Sequence, residues 1–104
     1  MGTLRYGGHA IPMNDRTLLH VQIIVGAKLR HGESTFLSWR PKTGETRRSS
    51  IWVSPGIPMA FLFDGSHLGS VNRAWLEAMS ASGSTGVDLQ IMEEVELQGH
   101  LQPA

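Results

Sequence analysis

NDRTLLHVQIIVGAKLRHGESTFLSWR, residues 14–40, holds the longest apolar run of the chain, followed by a strand-like segment that ends in a tryptophan. Asn14 or Asp15 can cap a helix, because a side-chain oxygen there accepts a hydrogen bond from a backbone N–H of the first turn. Three basic residues just before Gly32 suit the negative end of a helix dipole, and Gly32 can adopt the left-handed conformation that ends a helix. We therefore predict a helix from this cap to Gly32.

Part of this run, residues 19–25, alternates and is rich in β-branched residues, so a strand is the alternative. A length of about 16 residues favours the helix, because strands are usually shorter. The apolar residues of this predicted helix lie around nearly its whole circumference. We therefore expect other elements to pack against more than one side of it. After Gly32 the apolar period changes to two, which predicts a strand over residues 35–40 with Trp39 in the core.

Turn signals divide the rest of the chain into short strands and one more helix. A Gly7-Gly8 turn predicts an N-terminal hairpin whose second arm, with Pro12, is an edge strand. A second helix is predicted to begin at Ser70 or Asn72 and to run to about residue 81. Further strands are predicted at residues 49–54, 59–63 and 87–97.

The strand predicted at 59–63 is apolar on both faces, which is typical of a central strand. A chain of 104 residues has room for one domain with its own core. The elements predict an α+β single domain with a mixed or antiparallel sheet of about five to six strands and two helices, in the order β-hairpin, α, β, β, β, α, β. We expect this domain to span residues 1–99 and a flexible tail to span residues 100–104.

Composition narrows the classes of function. The chain has no cysteine, which excludes disulfides, thiol catalysis and cysteine-ligated zinc. No apolar run approaches the ~20 residues of a membrane span, and we expect a soluble, cytoplasmic protein with no membrane partner. Residues 1–50 carry eight Lys/Arg against three Asp/Glu, whereas residues 51–104 carry one against six. This asymmetry matters for binding only if the fold keeps the two halves on different faces.

Motifs of enzyme chemistry are missing from the sequence. The five histidines form no HxH, HxxxH or HExxH pair, and neither GxGxxG nor GxxxxGK[ST] is present. A Ser-His-Asp arrangement needs no fixed spacing and stays open, although the GxSxG turn is absent. We expect no catalytic residue, no metal and no cofactor.

The polar loop between the strands at 35–40 and 49–54 is the best candidate for a contact surface. Its candidate residues are Arg40, Lys42, Arg47, Arg48 and Trp52. A charged hairpin tip commonly keeps edge strands from aggregating. Alternatively, the four cations could hold a phosphate backbone while the tryptophan stacks on a base.

Six motifs in this order resemble an uncharacterised family of small bacterial proteins of about this length. They are GTLRYG (2–7), DRTL (15–18), AKLRHGES (27–34), LSW (37–39), SIWVSP (50–55) and NRAWLEA (72–78). Members of that family are often labelled ATP-dependent DNA ligase. Ligase chemistry needs a nucleophilic lysine in a KxDG context. The run around Lys42 lacks the aspartate, so we expect no enzyme here.

Two hypotheses for function follow. The first is a non-enzymatic interaction module that self-associates into a homo-oligomer or homodimer or binds a protein partner, because residues 17–29 and 59–63 carry more apolar surface than two helices can cover. The alternative is a nucleic-acid-binding accessory protein, linked to DNA repair or ligation, that uses the basic hairpin tip. A third hypothesis, a small enzyme, has less support, because the sequence shows no set of acid, base and nucleophile.

Overall fold

Eight elements follow one another in the predicted order. The structure is a computed structural model that describes residues 1–39, 49–65, 69–82, 88–92 and 94. Its elements are β1 (Gly2–Tyr6), β2 (His9–Met13), α1 (Asp15–Arg30), β3 (Thr35–Trp39), β4 (Ser49–Val53), β5 (Met59–Leu62), α2 (Arg73–Ser82) and β6 (Asp88–Ile91). The α+β class is thereby confirmed. Within the described residues, neither helix has the length and apolarity needed to cross a membrane.

The six strands form two sheets of three rather than the single sheet expected from the sequence. Sheet 1 has the order β2-β1-β5 and is antiparallel throughout. Sheet 2 has the order β4-β3-β6, with β4 antiparallel and β6 parallel to β3. The division escaped prediction because an alternating pattern shows which face of a strand is buried but not which strand lies beside it.

The prediction of a central strand at residues 59–63 is wrong within one copy of the chain, because β5 is an edge of sheet 1. Met59 and Phe61 are half-buried beside the core, whereas Leu62 is 48% exposed. At the other edge lies β2, and its Pro12 has no N–H to offer a further strand. The edge position predicted for the Pro12 strand is thus confirmed.

Helix α1 begins and ends as its sequence predicts. The Asn14 side chain accepts a hydrogen bond of 2.9 Å from the backbone N–H of Arg16, and Gly32 follows the helix with a φ of 73°. Its buried apolar residues, Leu18, Val21, Ile24 and Val25, lie on one side. Ile23 on the open side is 37% exposed. The expectation that other elements would pack against several sides of this helix is therefore wrong, because the fold buries one face of α1 only.

Both helices and both sheets contribute to one hydrophobic core. Its fully buried side chains come from Leu4, Leu18, Leu37, Val53, Trp75, Met79 and Leu89, among others. Trp39, predicted to be in the core, is only half-buried, and Trp75 of α2 is the enclosed tryptophan.

Asn72 caps α2, because its Oδ1 accepts the N–H of Trp75 at 3.1 Å. Residues 95–97 of the long C-terminal strand predicted from the sequence lie outside the described residues, as does the tail at 100–104.

Candidate functional site

Trp52 is the part of the predicted contact surface that the structure describes. It lies in β4 and is 47% exposed. The predicted partners Arg40, Lys42, Arg47 and Arg48 lie outside the described residues. They belong to the segment that links Trp39, the last residue of β3, to Ser49, the first residue of β4.

Phe36 was not predicted as a contact residue, yet its ring packs against that of Trp52 across β3 and β4. The ring centroids are 5.0 Å apart and the ring planes meet at 65°, an edge-to-face contact. Phe36 is itself 45% exposed. The signal for it was the alternation of β3, which sets this large ring on the face opposite the buried Leu37.

The two rings belong to an open face of sheet 2, which we call the aromatic face. Two rows of side chains cross it: Trp52, Phe36 and Asp88 in one, and Ser50, Ser38 and Gln90 in the other. The second row lies nearer the link between β3 and β4, because Trp39 pairs with Ser49 at that end. Along the direction of β3, the aromatic face therefore presents two rings beside Asp88 first and then polar groups only.

Hydrogen bonds connect the polar groups of the aromatic face. The Ser38 hydroxyl donates to Asp88 Oδ1 at 2.7 Å and lies 2.9 Å from Ser50 Oγ. Since a hydroxyl has a single hydrogen, the Ser50 hydroxyl completes the second contact. The Gln90 amide donates to Asp88 Oδ2 at 2.7 Å. Ser38 is buried, whereas Ser50 is exposed.

A second polar cluster joins α1 to the C-terminal part of the described chain. Arg16 donates to both carboxylate oxygens of Glu94, at 3.1 and 2.7 Å, and to the Ser70 carbonyl at 3.0 Å. The Asn72 amide also donates to Glu94, at 2.9 Å. The contact with Arg16, followed by that with Asn72, holds the pKa of Glu94 below its ordinary value, and Glu94 raises the pKa of Arg16.

His20 lies beneath this cluster and is fully buried. Its Nδ1 lies 2.7 Å from the Arg16 carbonyl oxygen, and its Nε2 accepts the backbone N–H of Asn72 at 2.9 Å. A carbonyl needs a donor and an N–H needs an acceptor, so the ring is the neutral tautomer with hydrogen on Nδ1. The imidazole also stacks on Trp75, with centroids 4.3 Å apart. His20 thus joins α1 to the start of α2.

The chemistry open to this second cluster is limited by its internal contacts. Both oxygens of Glu94 and both nitrogens of His20 already have partners. Among the residues that the structure describes, no group of three or more His, Cys, Asp or Glu lies together as metal ligands would. We interpret the cluster as a structural tie between α1, the turn before α2 and the residues after β6.

The outer edge of β5 is the second candidate surface. Its residues, MAFL, carry neither charge nor proline. No strand within the described residues pairs with that edge, because β5 ends the order β2-β1-β5. An apolar edge strand without such protection is suited to pairing with another strand.

Comparison with known proteins places the chain in a family. No curated protein and no solved structure matches it. A family model described as "Domain of unknown function (DUF7882)" matches residues 1–94. The chain belongs to this family, in agreement with the resemblance to an uncharacterised family that its ordered motifs show.

Proposed function

We propose that this protein is a non-enzymatic interaction module that associates with a second copy of itself through the edge of β5. The observation that carries the proposal is the mismatch between the sequence of β5 and its position. A strand that is apolar on both faces is typical of the centre of a sheet, yet β5 is an edge in the single copy. Pairing with a second β5 would make it central.

The two edges of sheet 1 differ in their suitability for such pairing. At the β2 edge, Pro12 lacks an N–H, and proline is a common protection against edge-to-edge association. In β5 every residue from Met59 to Leu62 has a backbone N–H. Self-association through β5 would extend sheet 1 to the order β2-β1-β5-β5-β1-β2.

The faces of β5 limit the register of the pair. Phe61 pairs with Leu4 of β1 and shares the core face with it, whereas Ala60 and Leu62 lie on the opposite face. Directly opposed residues of an antiparallel pair share a face. A twofold axis at Phe61 meets this condition, since it sets Leu62 opposite Ala60 of the second copy.

Catalysis has weaker support in the described residues. Arg16, Glu94 and His20 lie close together, but their polar atoms already have partners. Arg16 donates to Glu94, and both ring nitrogens of His20 contact backbone groups. An active site needs ionisable groups aimed at a cleft where a substrate can lie. The open surfaces described above are instead an apolar strand edge and an aromatic face.

The test is light scattering coupled to size exclusion at several protein concentrations. The wild type is expected to contain dimers whose share rises with concentration. Leu62→Lys is expected to be monomeric, because a charge on an edge strand opposes pairing. Val71→Lys is the matched control, since Val71 is also exposed but lies outside sheet 1 and outside residues 17–29. A wild type that stays monomeric at every concentration would remove the proposal.

A further inference from the structure

We propose that the aromatic face binds a neutral carbohydrate, with a sugar ring stacked on Phe36 and Trp52 and its hydroxyls bonded to the polar groups beside them. The site lies on sheet 2, so it is separate from the pairing edge of β5 on sheet 1. Three features of the face point to this ligand: two open rings, hydrogen-bonding groups of both kinds, and the absence of Lys and Arg from its two rows.

The two rings form an apolar platform. Nearly half of the surface of both Phe36 and Trp52 is open, and their edge-to-face contact at 5.0 Å holds each ring against the other. A side chain that is already held in place loses little rotamer freedom when a ligand stacks on it. A pyranose with equatorial hydroxyls has C–H groups on its flat sides, and these are attracted to the electron-rich face of an aromatic ring. The platform therefore suits a flat ligand with an apolar side.

Hydrogen-bonding groups lie within reach of a ligand on the rings. The polar row, which consists of Ser50, Ser38 and Gln90, lies two residues beyond the rings along β3, or roughly 7 Å at the rise of a strand. Ser50 is exposed and Gln90 is half-buried. Within the described residues, the contact with Asp88 uses one hydrogen of the Gln90 amide, which leaves the second hydrogen and the amide oxygen for a ligand. The edge of a stacked ligand would meet these groups.

Both donors and acceptors are offered to the ligand. The Trp52 indole N–H and the Gln90 amide hydrogen donate, whereas the Ser50 and Gln90 side-chain oxygens accept. A sugar hydroxyl does both, so it can satisfy either kind of group. A proline-rich segment also stacks on aromatic rings, but its prolines have carbonyl acceptors and no N–H. It would leave the acceptors of the face without donors, which costs free energy once water is displaced.

Charge disfavours an anionic ligand on this face. The six residues of its two rows include the carboxylate of Asp88 and no Lys or Arg. An anion would therefore lose part of its hydration without gaining a counter-ion. A quaternary ammonium can stack on the rings, but it has neither a hydrogen for the acceptors of the face nor a lone pair for its donors. A neutral sugar meets both conditions.

NMR titration of the isotope-labelled chain tests the proposal, with cellohexaose and hexa-N-acetylchitohexaose as the probes. Both are neutral chains of pyranoses with equatorial substituents. The indole N–H signal of Trp52 should shift on addition of at least one of them. The signal of Trp75 should not, because its N–H donates to the Met92 carbonyl and its ring is buried. Choline, a polyproline peptide and a single-stranded oligonucleotide at the same concentration should each shift the Trp52 signal less.

Calorimetry on variants then shows which groups hold the sugar. Trp52→Leu and Phe36→Leu should each weaken binding by roughly tenfold, the scale of a lost ring contact. Trp52→Phe and Phe36→Tyr keep a ring and should keep most of the affinity. Gln90→Met keeps the length of the side chain without its amide and should weaken binding by about two- to tenfold, the effect of a lost hydrogen bond. Val71→Ala is the control for an exposed apolar residue outside the face.

The Trp75 signal also reports on folding, because this ring lies in the core. Leucine variants that keep this signal at its native position and bind sugar as tightly as the wild type would overturn the proposal. No shift of the Trp52 signal with either sugar would overturn it too. A larger shift with choline, the peptide or the oligonucleotide than with both sugars would overturn it in favour of that other class of ligand.

Discussion

Gly65 donates its backbone N–H to Asp15 Oδ2 over 2.7 Å, joining the turn after β5 to the first residue of α1. The neighbouring N–H of Asp64 lies 3.3 Å from the other oxygen of the same carboxylate. Asp15 also lies where negative charge stabilises the N-terminus of a helix. The bond from Gly65 is the main cause that lowers the pKa of Asp15 below its ordinary value.

This lowered pKa makes a prediction about acid stability. A carboxyl whose pKa is lower in the folded than in the unfolded chain stabilises the fold above the unfolded pKa, and that contribution is lost as the pH falls through the folded pKa. Asp15→Asn should therefore lose less stability than the wild type between neutral pH and the acid range. Urea unfolding at a series of pH values measures this difference. Identical pH dependence in both proteins would contradict it.

The ion pair between Arg16 and Glu94 should contribute more than an ordinary surface pair. Its geometry is bidentate, and Asn72 adds a third bond to the carboxylate. We expect a coupling of about 1 kcal/mol, at the upper end for exposed pairs, because the geometry is bidentate and neither side chain is fully exposed. A double-mutant cycle with Arg16→Met and Glu94→Gln measures it, and Lys28–Glu33 is the comparison pair. Equal coupling energies in the two pairs would contradict this expectation.

His20 and His31 provide a matched comparison of a buried and an exposed histidine. Each Nδ1 lies against the carbonyl four residues earlier, but only His20 is buried and accepts a second bond, from Asn72. His20→Phe keeps an aromatic ring and leaves the Asn72 N–H without its acceptor, so it should destabilise the fold by about 1–3 kcal/mol. His31→Phe should change the free energy of unfolding little. Chemical denaturation of both variants compares them.

Covalent trapping can test the register proposed for β5. The chain has no cysteine, so introduced thiols have no competing partner within it. In the register centred on Phe61, residue 62 of one copy lies opposite residue 60 of the other, and opposed Cα atoms about 4.5–5.5 Å apart are within the range of a disulfide. Ala60→Cys with Leu62→Cys should give a linked dimer on mild oxidation. Each single variant should give far less. Equal yields from single and double variants would exclude this register.

Close packing at Gly2 gives a prediction for the N-terminal strand. A Cβ at this position would lie 2.6 Å from Asp15 Oδ1 and 2.7 Å from the carbonyl oxygen of Leu62. The second of these is backbone and cannot turn away, so β1 and β5 would have to separate locally. Gly2→Ala should therefore lower the midpoint of thermal unfolding, whereas Gly8→Ala, with open space around it, should not. Circular dichroism melts of the two variants compare them.

Features set by neighbouring residues could be predicted from the sequence. The Asn14 and Asn72 caps, the end of α1 at Gly32 and the edge position of the Pro12 strand depend on contacts within a few residues. Each is a local backbone requirement that a particular type of residue meets. The element order was predictable for the same reason.

Features set by distant residues could not be predicted in this way. Arg16 and Glu94 are 78 positions apart, and no local pattern indicates that they meet. The division into two sheets and the edge position of β5 depend on which strands pair, which a period of two does not encode. Of the candidate site, Trp52 was predicted from its neighbours in sequence. The alternation of β3 indicates the face of Phe36, but its contact with Trp52 depends on the cross-strand register.

The Tyr6 hydroxyl donates to the backbone carbonyl of Trp52, and this bond connects the two surfaces discussed above. Tyr6 belongs to β1, whose neighbour in sheet 1 is β5. One strand and one hydrogen bond thus lie between Trp52 of the aromatic face and the outer edge of β5. If pairing of β5 changes the affinity of the aromatic face for any ligand, that ligand must change the dimerisation constant by the same factor. Tyr6→Phe removes this bond, so any such coupling should be weaker in that variant than in the wild type.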